Sequence, residues 1–297
     1  MLIVATQSDA DSLAKLAVDC DAIMTNWAKV PESVIAAAPR CKIISRLGIG
    51  LDNIDVAAAT RRSMLVTNVP DYCIVEVAEH ALALMLALAR KVAFYHHETK
   101  QRRYNLQYGP VLRRIEGQSL GIVGFGNIGR KLAEKAVALG LRVLATGRTP
   151  KAASQLPPDV TWCELKDLLT QSDYISLHVP HTPETNHMIG AEQLACMKPS
   201  AYLINTARGG LVDHAALAAA LDAGQLAGAA LDVQDPEPPD LSQPPYNDPR
   251  VLVTPHAAFV SVESLENLRT RVSQQVVICL QGGRPDHVVN MSILQEL

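Results

Sequence analysis

The sequence predicts an α/β protein with two domains, each a parallel sheet that carries helices on both faces. Short apolar runs alternate with helical patterns along the chain, and the runs are apolar throughout instead of alternating with polar residues. Strands of that kind are buried on both faces, which is typical of parallel sheets. The alternation occurs in two series, one on each side of residue 95, and 297 residues are enough for two cores.

The elements follow one another as this fold class requires. The first series predicts strands over residues 22–25, 41–46 and 65–67. The second predicts strands over residues 119–123, 142–146, 174–178, 201–205, 228–233 and 251–254. Helices lie between them, such as 127–139, which Gly140 ends, and 213–223, which Asp213 caps. Long helical patterns over 75–92 and 261–280 connect the two series. We therefore predict a first domain of residues 1–94 plus 276–297 and a second of residues 95–275.

The composition excludes several classes of protein. Basic residues number 27 against 30 acidic ones, a net charge of −3 without a basic block, so neither nucleic acid nor a membrane is an expected partner. The most apolar run, residues 81–89, is about half the length that a bilayer requires. The N-terminus reads as a short strand and not as a signal peptide, and the six cysteines form no C-x-x-C pair. We expect a cytoplasmic protein with reduced thiols and, for want of ligand spacing around its histidines, no metal site.

A glycine-rich loop, GFGNIG at residues 124–129, follows the predicted strand 119–123 and opens a helix. Gly124 permits a tight turn, Gly126 lets the backbone approach a pyrophosphate, and Gly129 allows close packing of helix on strand. The helix start at Asn127 and Ile128 presents unpaired N–H groups to phosphates. The alternative is an ordinary strand–helix turn. The context favours a dinucleotide site. The two predicted domains are Rossmann-like or flavodoxin-like.

The end of the next strand predicts which dinucleotide binds. An acidic residue at this place would accept hydrogen bonds from a ribose diol and repel a 2′-phosphate. The sequence instead reads ATGRTP at residues 145–150. Arg148 and Thr149 suit a 2′-phosphate by charge and hydroxyl, although a solvated loop arginine is the simpler alternative. We predict that NADP(H) is preferred and that NAD(H) is usable.

Three stretches follow later strands, at the edge where ligands bind in open α/β sheets. They contain Arg208, Glu237 and His256, respectively. Taken singly, these residues fit a helix-start loop, a solvated acid and a capping residue. Together they suit the reduction of a 2-oxo acid. A guanidinium grips a carboxylate through two hydrogen bonds, and an imidazolium donates a proton to the carbonyl oxygen as hydride arrives. A carboxylate against the other ring nitrogen orients the imidazole.

From about residue 21 to its C-terminus the chain resembles the D-isomer-specific 2-hydroxyacid dehydrogenases. It is most similar to the branch that includes the C-terminal-binding proteins. Besides the stretches already described, the resemblance rests on GIGLDNID at residues 48–55, NVPDYC at 68–73, EVAEHAL at 76–82 and LHVPHTPET at 177–185.

The resemblance implies an oxidoreductase that transfers a hydride between NAD(P)H and a small 2-oxo acid to give the (R)-2-hydroxy acid, as glyoxylate and hydroxypyruvate reductases do. Arg208 would bind the substrate, His256 would be the acid/base, and Glu237 would support it. The backbone of Ile49 and Gly50 would meet the substrate carboxylate. The first domain would therefore bind substrate and the second the dinucleotide.

The resemblance also implies further cofactor contacts. Asp232 and the backbone of Thr206 and Ala207 would hold the nicotinamide carboxamide. On the adenosine side of the cofactor the implied residues are Val179, Pro180 and Thr185. Residues 95–114 correspond to a region that often makes dimer contacts, so a homodimer is expected. His80, in the first connecting helix, is interpreted as a packed histidine.

Departures from the family leave other functions open. After His256 the chain has AAFV where the similar branch often has bulkier aromatic residues, so no particular substrate is inferred. The first domain also lacks about one strand–helix unit. One alternative is a dinucleotide-sensing binding protein like the corepressors of the branch. Another is a dehydrogenase of the formate or phosphite type, because the arginine–histidine pair would also suit small oxyanions.

Overall fold

The computed structural model describes residues 1–106 and 109–292. Residues 107–108 and 293–297, the latter assigned to the first predicted domain, lie outside the described residues. The chain forms two compact units, Met1–Tyr72 with Ser261–Leu297, and Cys73–Val260. In the described residues, no helix is both long enough and apolar enough to cross a membrane.

The elements are numbered in chain order. The strands are β1 (Ala22–Thr25), β2 (Ile43–Arg46), β3 (Leu65–Thr67), β4 (Ser119–Val123), β5 (Arg142–Thr146), β6 (Val160–Trp162), β7 (Tyr174–Leu177), β8 (Tyr202–Asn205), β9 (Gly228–Leu231) and β10 (Val251–Val253). The helices are α1 (Ala10–Ala17), α2 (Glu32–Ala36), α3 (Val56–Arg61), α4 (Ile74–Arg90), α5 (Val92–Lys100), α6 (Asn127–Ala138), α7 (Leu165–Gln171), α8 (Ala191–Cys196), α9 (His214–Asp222) and α10 (Val262–Leu280).

The first unit is built on a parallel sheet with the order β1-β2-β3. Side chains of β2 alternate between its two faces, so Ile44 packs with the residues of α2 and α3 whereas Ile43 packs with Cys279 of α10. Both faces of the sheet are thus covered, as the apolar runs predict. Residues 1–4, interpreted from sequence as part of a short strand, belong to no strand and are exposed.

The second unit is built on a parallel sheet with the order β10-β9-β8-β7-β4-β5-β6. The chain runs from β4 outward to β6, returns to β7 beside β4, and then continues outward to β10. The order therefore reverses between β4 and β7, and ligands bind outside the carboxyl ends of the strands at such a point. One face is covered by α4 and α6, the other by α7, α8 and α9.

The boundaries between the units differ from those predicted, 94/95 and 275/276. All of α4 packs within the second unit, where Ala78, Ala81 and Met85 join the core beneath α6. All of α10 packs within the first, against β2 and β1. The chain therefore passes from one unit to the other just before each long helix, and the whole helix belongs to the unit that it enters. The reason is that the buried stripe of each helix faces a single sheet.

Candidate active site

The glycine loop lies at the carboxyl end of β4, where the strand order reverses. Gly124 has φ +102°, and a Cβ there would lie 2.4 Å from the carbonyl oxygen of His178. A Cβ on Gly129 would lie 2.3 Å from the carbonyl oxygen of Gly124. Around the Cβ position of Gly126, in contrast, there is open space to 4 Å. The first and third glycines thus satisfy the fold, and the second leaves room for a ligand.

This loop fits a pyrophosphate. Gly126 is the N-cap of α6 and has no capping side chain, so the first N–H groups of the helix, at Asn127 and Ile128, are directed to whatever lies beyond it. Burial lowers the pKa of the neighbouring His178 to about 4, so this imidazole carries no positive charge at neutral pH. A positive charge on His178 therefore does not contribute to the binding of an anion at this loop.

The end of β7 flanks the glycine loop. The side chain of Val179 lies 2.8 Å from the Cβ position of Gly124. Beyond it the chain turns back on itself: Thr185 Oγ1 accepts a hydrogen bond from the backbone N–H of Thr182 and donates one to the carbonyl oxygen of Pro180, both at 2.8 Å. The turn fixes Val179, Pro180 and Thr185 beside the loop.

Residues 147–150, directly after β5, include no carboxylate. The strand ends at Thr146, and Gly147 follows it against the ring of Trp162. Arg148 and Thr149 are exposed. The pKa of Glu184 is lowered, first by a hydrogen bond from Thr182 and to a smaller extent by the charge of Arg148. The end of β5 therefore presents one guanidinium and one hydroxyl to solvent.

The stretch after β8 presents Arg208. Asn205 organises the turn: its Nδ2 donates to the carbonyl oxygen of Arg208 at 2.8 Å, and its Oδ1 accepts from the N–H of Ala207 at 3.0 Å. Thr206 Oγ1 is buried and has no hydrogen-bond partner within the described residues. Since an unsatisfied buried hydroxyl costs free energy, it marks a place for a polar ligand group. Thr206 thus fits a cofactor amide.

Gly209 lies where the turn that contains Arg208 packs against the loop that contains Gln234 and Glu237, called here the arginine turn and the acid–base loop. A Cβ at this position would lie 2.0 Å from the carbonyl oxygen of Gln234, so only glycine permits the contact. Gln234 in turn donates from its backbone N–H to Glu237 Oε1 at 2.9 Å. Arg208 and Glu237 are consequently close enough for the arginine charge to contribute to lowering the pKa of Glu237.

His256 and Glu237 form a pair. His256 Nδ1 lies 2.9 Å from Glu237 Oε2, and the exposed fractions of the two side chains are 23% and 31%. Burial raises the pKa of Glu237, but hydrogen bonds from His256 and from the N–H of Gln234 outweigh it and leave the pKa below its ordinary value. Because Glu237 is an anion, Nδ1 carries a proton. Nε2 is then the ring nitrogen that does not face Glu237 and is suited to exchange a proton with a ligand.

Asp232, which follows β9, accepts hydrogen bonds from the backbone at and after His256. Its carbonyl oxygen accepts the N–H of His256 at 2.8 Å, and its carboxylate accepts the N–H groups of Ala257 and Ala258 at 2.9 Å. The Oγ1 of Thr254 donates to the same carboxylate at 2.5 Å. These contacts hold the backbone of His256 at φ +53°, a conformation that residues other than glycine rarely adopt. The carboxylate is fully buried, and its predicted contact with a nicotinamide carboxamide stays a prediction.

In the first unit, internal hydrogen bonds hold two backbone carbonyls of the loop that contains Ile49 and Gly50. The carbonyl of Gly48 accepts from the N–H of Val69 at 3.1 Å, and that of Ile49 accepts from Asn68 Nδ2 at 2.8 Å. In a trans peptide the N–H points opposite to the carbonyl. The N–H groups of Ile49 and Gly50 therefore point away from these internal bonds, which suits the capture of a carboxylate.

The pattern of one protein family matches residues 82–258 of this chain, the family described as D-isomer specific 2-hydroxyacid dehydrogenase, NAD binding domain. The chain belongs to the D-isomer-specific 2-hydroxyacid dehydrogenases. The matched region contains the glycine loop, Arg208, Glu237 and His256.

Curated relatives and solved structures extend the match. A glyoxylate reductase of Korarchaeum cryptofilum is 37% identical over 283 residues, which cover 93% of this chain and 85% of the relative. A D-3-phosphoglycerate dehydrogenase of Mycobacterium tuberculosis is 39% identical over 291 residues, but these cover only 53% of the relative and 95% of this chain. An acyclic imino acid reductase (Bsp5), solved in complex with NADPH and D-Arg, is 26% identical with a TM-score of 0.86 and covers 95% of this chain and 89% of its own.

For this dehydrogenase, the structure brings most of the predicted residues of the second unit to one sheet edge. Sequence reasoning missed the supports beneath them, which are Asn205, Gln234 and Thr254. His80 of α4 packs as predicted, but it also lies 3.1 Å from Thr254 Oγ1. Its place beside the buried stripe of α4, one turn from Val77 and from Leu84, indicated packing but not the contact with Thr254. In the described part of the chain, no cluster of His, Cys, Asp or Glu is arranged to hold a metal ion.

Proposed function

We propose that this protein is an NAD(P)H-dependent reductase of small 2-oxo acids that forms the (R)-2-hydroxy acid. The pair of His256 Nδ1 with Glu237 Oε2 at 2.9 Å carries the proposal, because it provides a proton donor at the sheet edge where the glycine loop would hold a dinucleotide. The glyoxylate reductase relative matches along 85% of its length, which favours a short 2-oxo acid over a phosphorylated one.

The residues divide the work. The reduced nicotinamide supplies a hydride to C2 of the oxo acid when bound. Arg208 binds the substrate carboxylate and polarises its carbonyl. The Nε2 of His256 gives its proton to the carbonyl oxygen, so that one hydride and one proton reduce C=O to CH–OH. Glu237 accepts the hydrogen bond of Nδ1–H and so fixes the orientation of the imidazole ring.

The first experiment measures NADPH and NADH oxidation with glyoxylate, hydroxypyruvate, pyruvate and bulkier 2-oxo acids. We expect turnover with the short acids and a chiral product of R configuration wherever C2 is stereogenic. Failure of every 2-oxo acid with both cofactors would contradict the proposal. If the protein still bound a dinucleotide in that case, the sensing function or an oxyanion donor such as formate or phosphite would be favoured.

We further propose that NADPH is the preferred cofactor. The exposed guanidinium of Arg148, the hydroxyl of Thr149 and the lack of an acid after β5 support this preference. Arg148→Ala should lower kcat/KM for NADPH about tenfold or more, since a charge-assisted hydrogen bond contributes roughly 1.5–3 kcal/mol. Its kcat/KM for NADH should stay within about twofold of the wild-type value.

Arg142→Ala is the matched control for Arg148→Ala. Arg142 is also exposed, but it begins β5 at the opposite edge of the sheet, so neither cofactor should respond to its loss. A wild-type kcat/KM that favours NADH by tenfold or more would refute the preference.

A further inference from the structure

His80 lies outside the proposed catalytic pair of His256 and Glu237 but contacts two residues that hold His256 in place. His80 lies on α4, and its side chain is 25% exposed. Its Nε2 is 3.1 Å from Thr254 Oγ1 and 3.4 Å from Asp232 Oδ1. Asp232 follows β9, and Thr254 follows β10 two positions before His256. The imidazole therefore links a helix to the turn that presents the acid/base.

The hydrogen-bond donors in this group follow from a proton count. Burial raises the pKa of Asp232, but hydrogen bonds from His80, Thr254, Ala258 and Ala257 lower it to about 2, so the carboxylate is an anion. Thr254 has a single hydroxyl proton and gives it to Oδ1 at 2.5 Å. Thr254 Oγ1 is then an acceptor toward His80, and Nε2 of His80 must carry a proton.

The turn needs such support because its conformation is unfavourable in isolation. His256 has φ +53°, and its N–H lies between two acceptors, the carbonyl oxygens of Asp232 at 2.8 Å and Thr254 at 3.0 Å. A non-glycine residue persists in this region only where its surroundings determine it. Both acceptors belong to residues whose side chains His80 approaches.

We propose that His80 is a positioning residue for His256, acting through Thr254 and Asp232. Its Nε2–H orients the threonine hydroxyl onto the carboxylate, and the carboxylate then holds the N–H groups of Ala257 and Ala258. Without this donor the hydroxyl can rotate, the carboxylate loses one of its partners, and the turn samples conformations in which Nε2 of His256 is misdirected. The inference rests on the proposed function, in which His256 transfers the proton.

Steady-state kinetics with glyoxylate and NADPH test the role. His80→Leu should lower kcat at least tenfold, with KM and the cofactor Kd within about threefold of wild type. His80→Gln should restore kcat to within about threefold, because its amide N–H can reach the place of Nε2. The exposed His96 of α5 supplies the matched control, and His96→Leu should have no effect. An increase in KM at unchanged kcat would show direct contact with substrate and would overturn the proposal.

Thr254→Val tests the same path and replaces His80→Leu if that variant does not fold. It keeps the shape of the side chain but removes the hydroxyl, so it should lower kcat as His80→Leu does. The double variant should be within about threefold of the worse single variant, because both substitutions interrupt one chain of contacts. Losses that multiply would show that the two residues act separately, which contradicts the proposal.

An NMR measurement separates failure of this inference from failure of the proposed function. In protein with 13C-labelled histidine, the Cε1–H signal of His256 is assigned by its loss in His256→Ala. It should shift in His80→Leu and in Thr254→Val and return toward the wild-type position in His80→Gln. An unchanged signal in both of the first two variants would overturn the inference even if the wild type reduced no 2-oxo acid.

Discussion

Two acidic residues of neighbouring loops contact His256, and they do so in different ways. Glu237 meets the ring nitrogen Nδ1 and remains 31% exposed. Asp232 meets the backbone around the histidine and is fully buried, and its carboxylate accepts hydrogen bonds from Thr254, Ala257 and Ala258. A carboxylate with access to solvent and to an imidazole suits charge control, whereas one enclosed by N–H and O–H donors suits geometry. The same side-chain chemistry thus suits the proposed proton transfer in one loop and the support of a backbone turn in the other.

The largest expected effect concerns the residue that both carboxylates serve. His256→Ala should lower kcat by about a thousandfold, since general acid catalysis contributes roughly 10²–10⁴-fold. The dissociation constant of NADPH, followed by its fluorescence, should change less than threefold. The exposed His96→Ala is the control. Near-normal turnover of His256→Ala would show that His256 is not the acid/base, and the comparison of Glu237 with Asp232 would then have no bearing on catalysis.

Charge removal at each carboxylate should separate the two roles. Glu237→Gln should lower kcat about tenfold or more and change the free energy of unfolding by less than about 0.5 kcal/mol, because a partly exposed pair contributes little stability. Asp232→Asn should lower the free energy of unfolding by about 2–4 kcal/mol, because one oxygen is replaced by an NH2 group that faces a buried donor. Urea unfolding and initial rates measure both. Equal stability losses would show that the carboxylates do not differ in role.

The smallest expected effect is a pH dependence of stability. Hydrogen bonds lower the pKa of Asp232 in the folded protein to about 2, below the ordinary value of 3.8 for this side chain. Its carboxylate therefore stabilises the fold above about pH 4, and this contribution is lost as the pH falls toward 2. The gap in unfolding free energy between wild type and Asp232→Asn should narrow by about 1 kcal/mol between pH 5 and pH 3. Urea titrations at pH 5, 4 and 3 measure it. A gap that is constant with pH would contradict the buried-anion role of Asp232.

Sequence patterns predicted the fold because the responsible signals are local. Apolar runs mark buried strands, and the glycine loop marks the strand–helix turn at the switch point. The unit boundaries were not predicted, because a helical stripe shows that a helix packs but not which sheet it packs against. The N-terminal residues read as a strand, but strand formation requires a paired edge that local pattern does not encode.

The candidate site was predicted where chemistry depends on residue type, and missed where it depends on contact. An arginine, a glutamate and a histidine at strand ends indicated the reaction. The link from His80 to Thr254 spans 174 positions of the chain. No spacing rule reaches that distance, and a histidine on an apolar helix face has no sequence signature that separates packing from support.

The contact at Gly209 has a consequence for how this enzyme would change over evolutionary time. The arginine turn and the acid–base loop are fitted to each other through a position where even one methyl group would lie 2.0 Å from a backbone oxygen. A substitution that moved the backbone of either loop would therefore also disturb the other loop. Substitutions that adapt the protein to another substrate would be tolerated more readily around these two loops than at their point of contact.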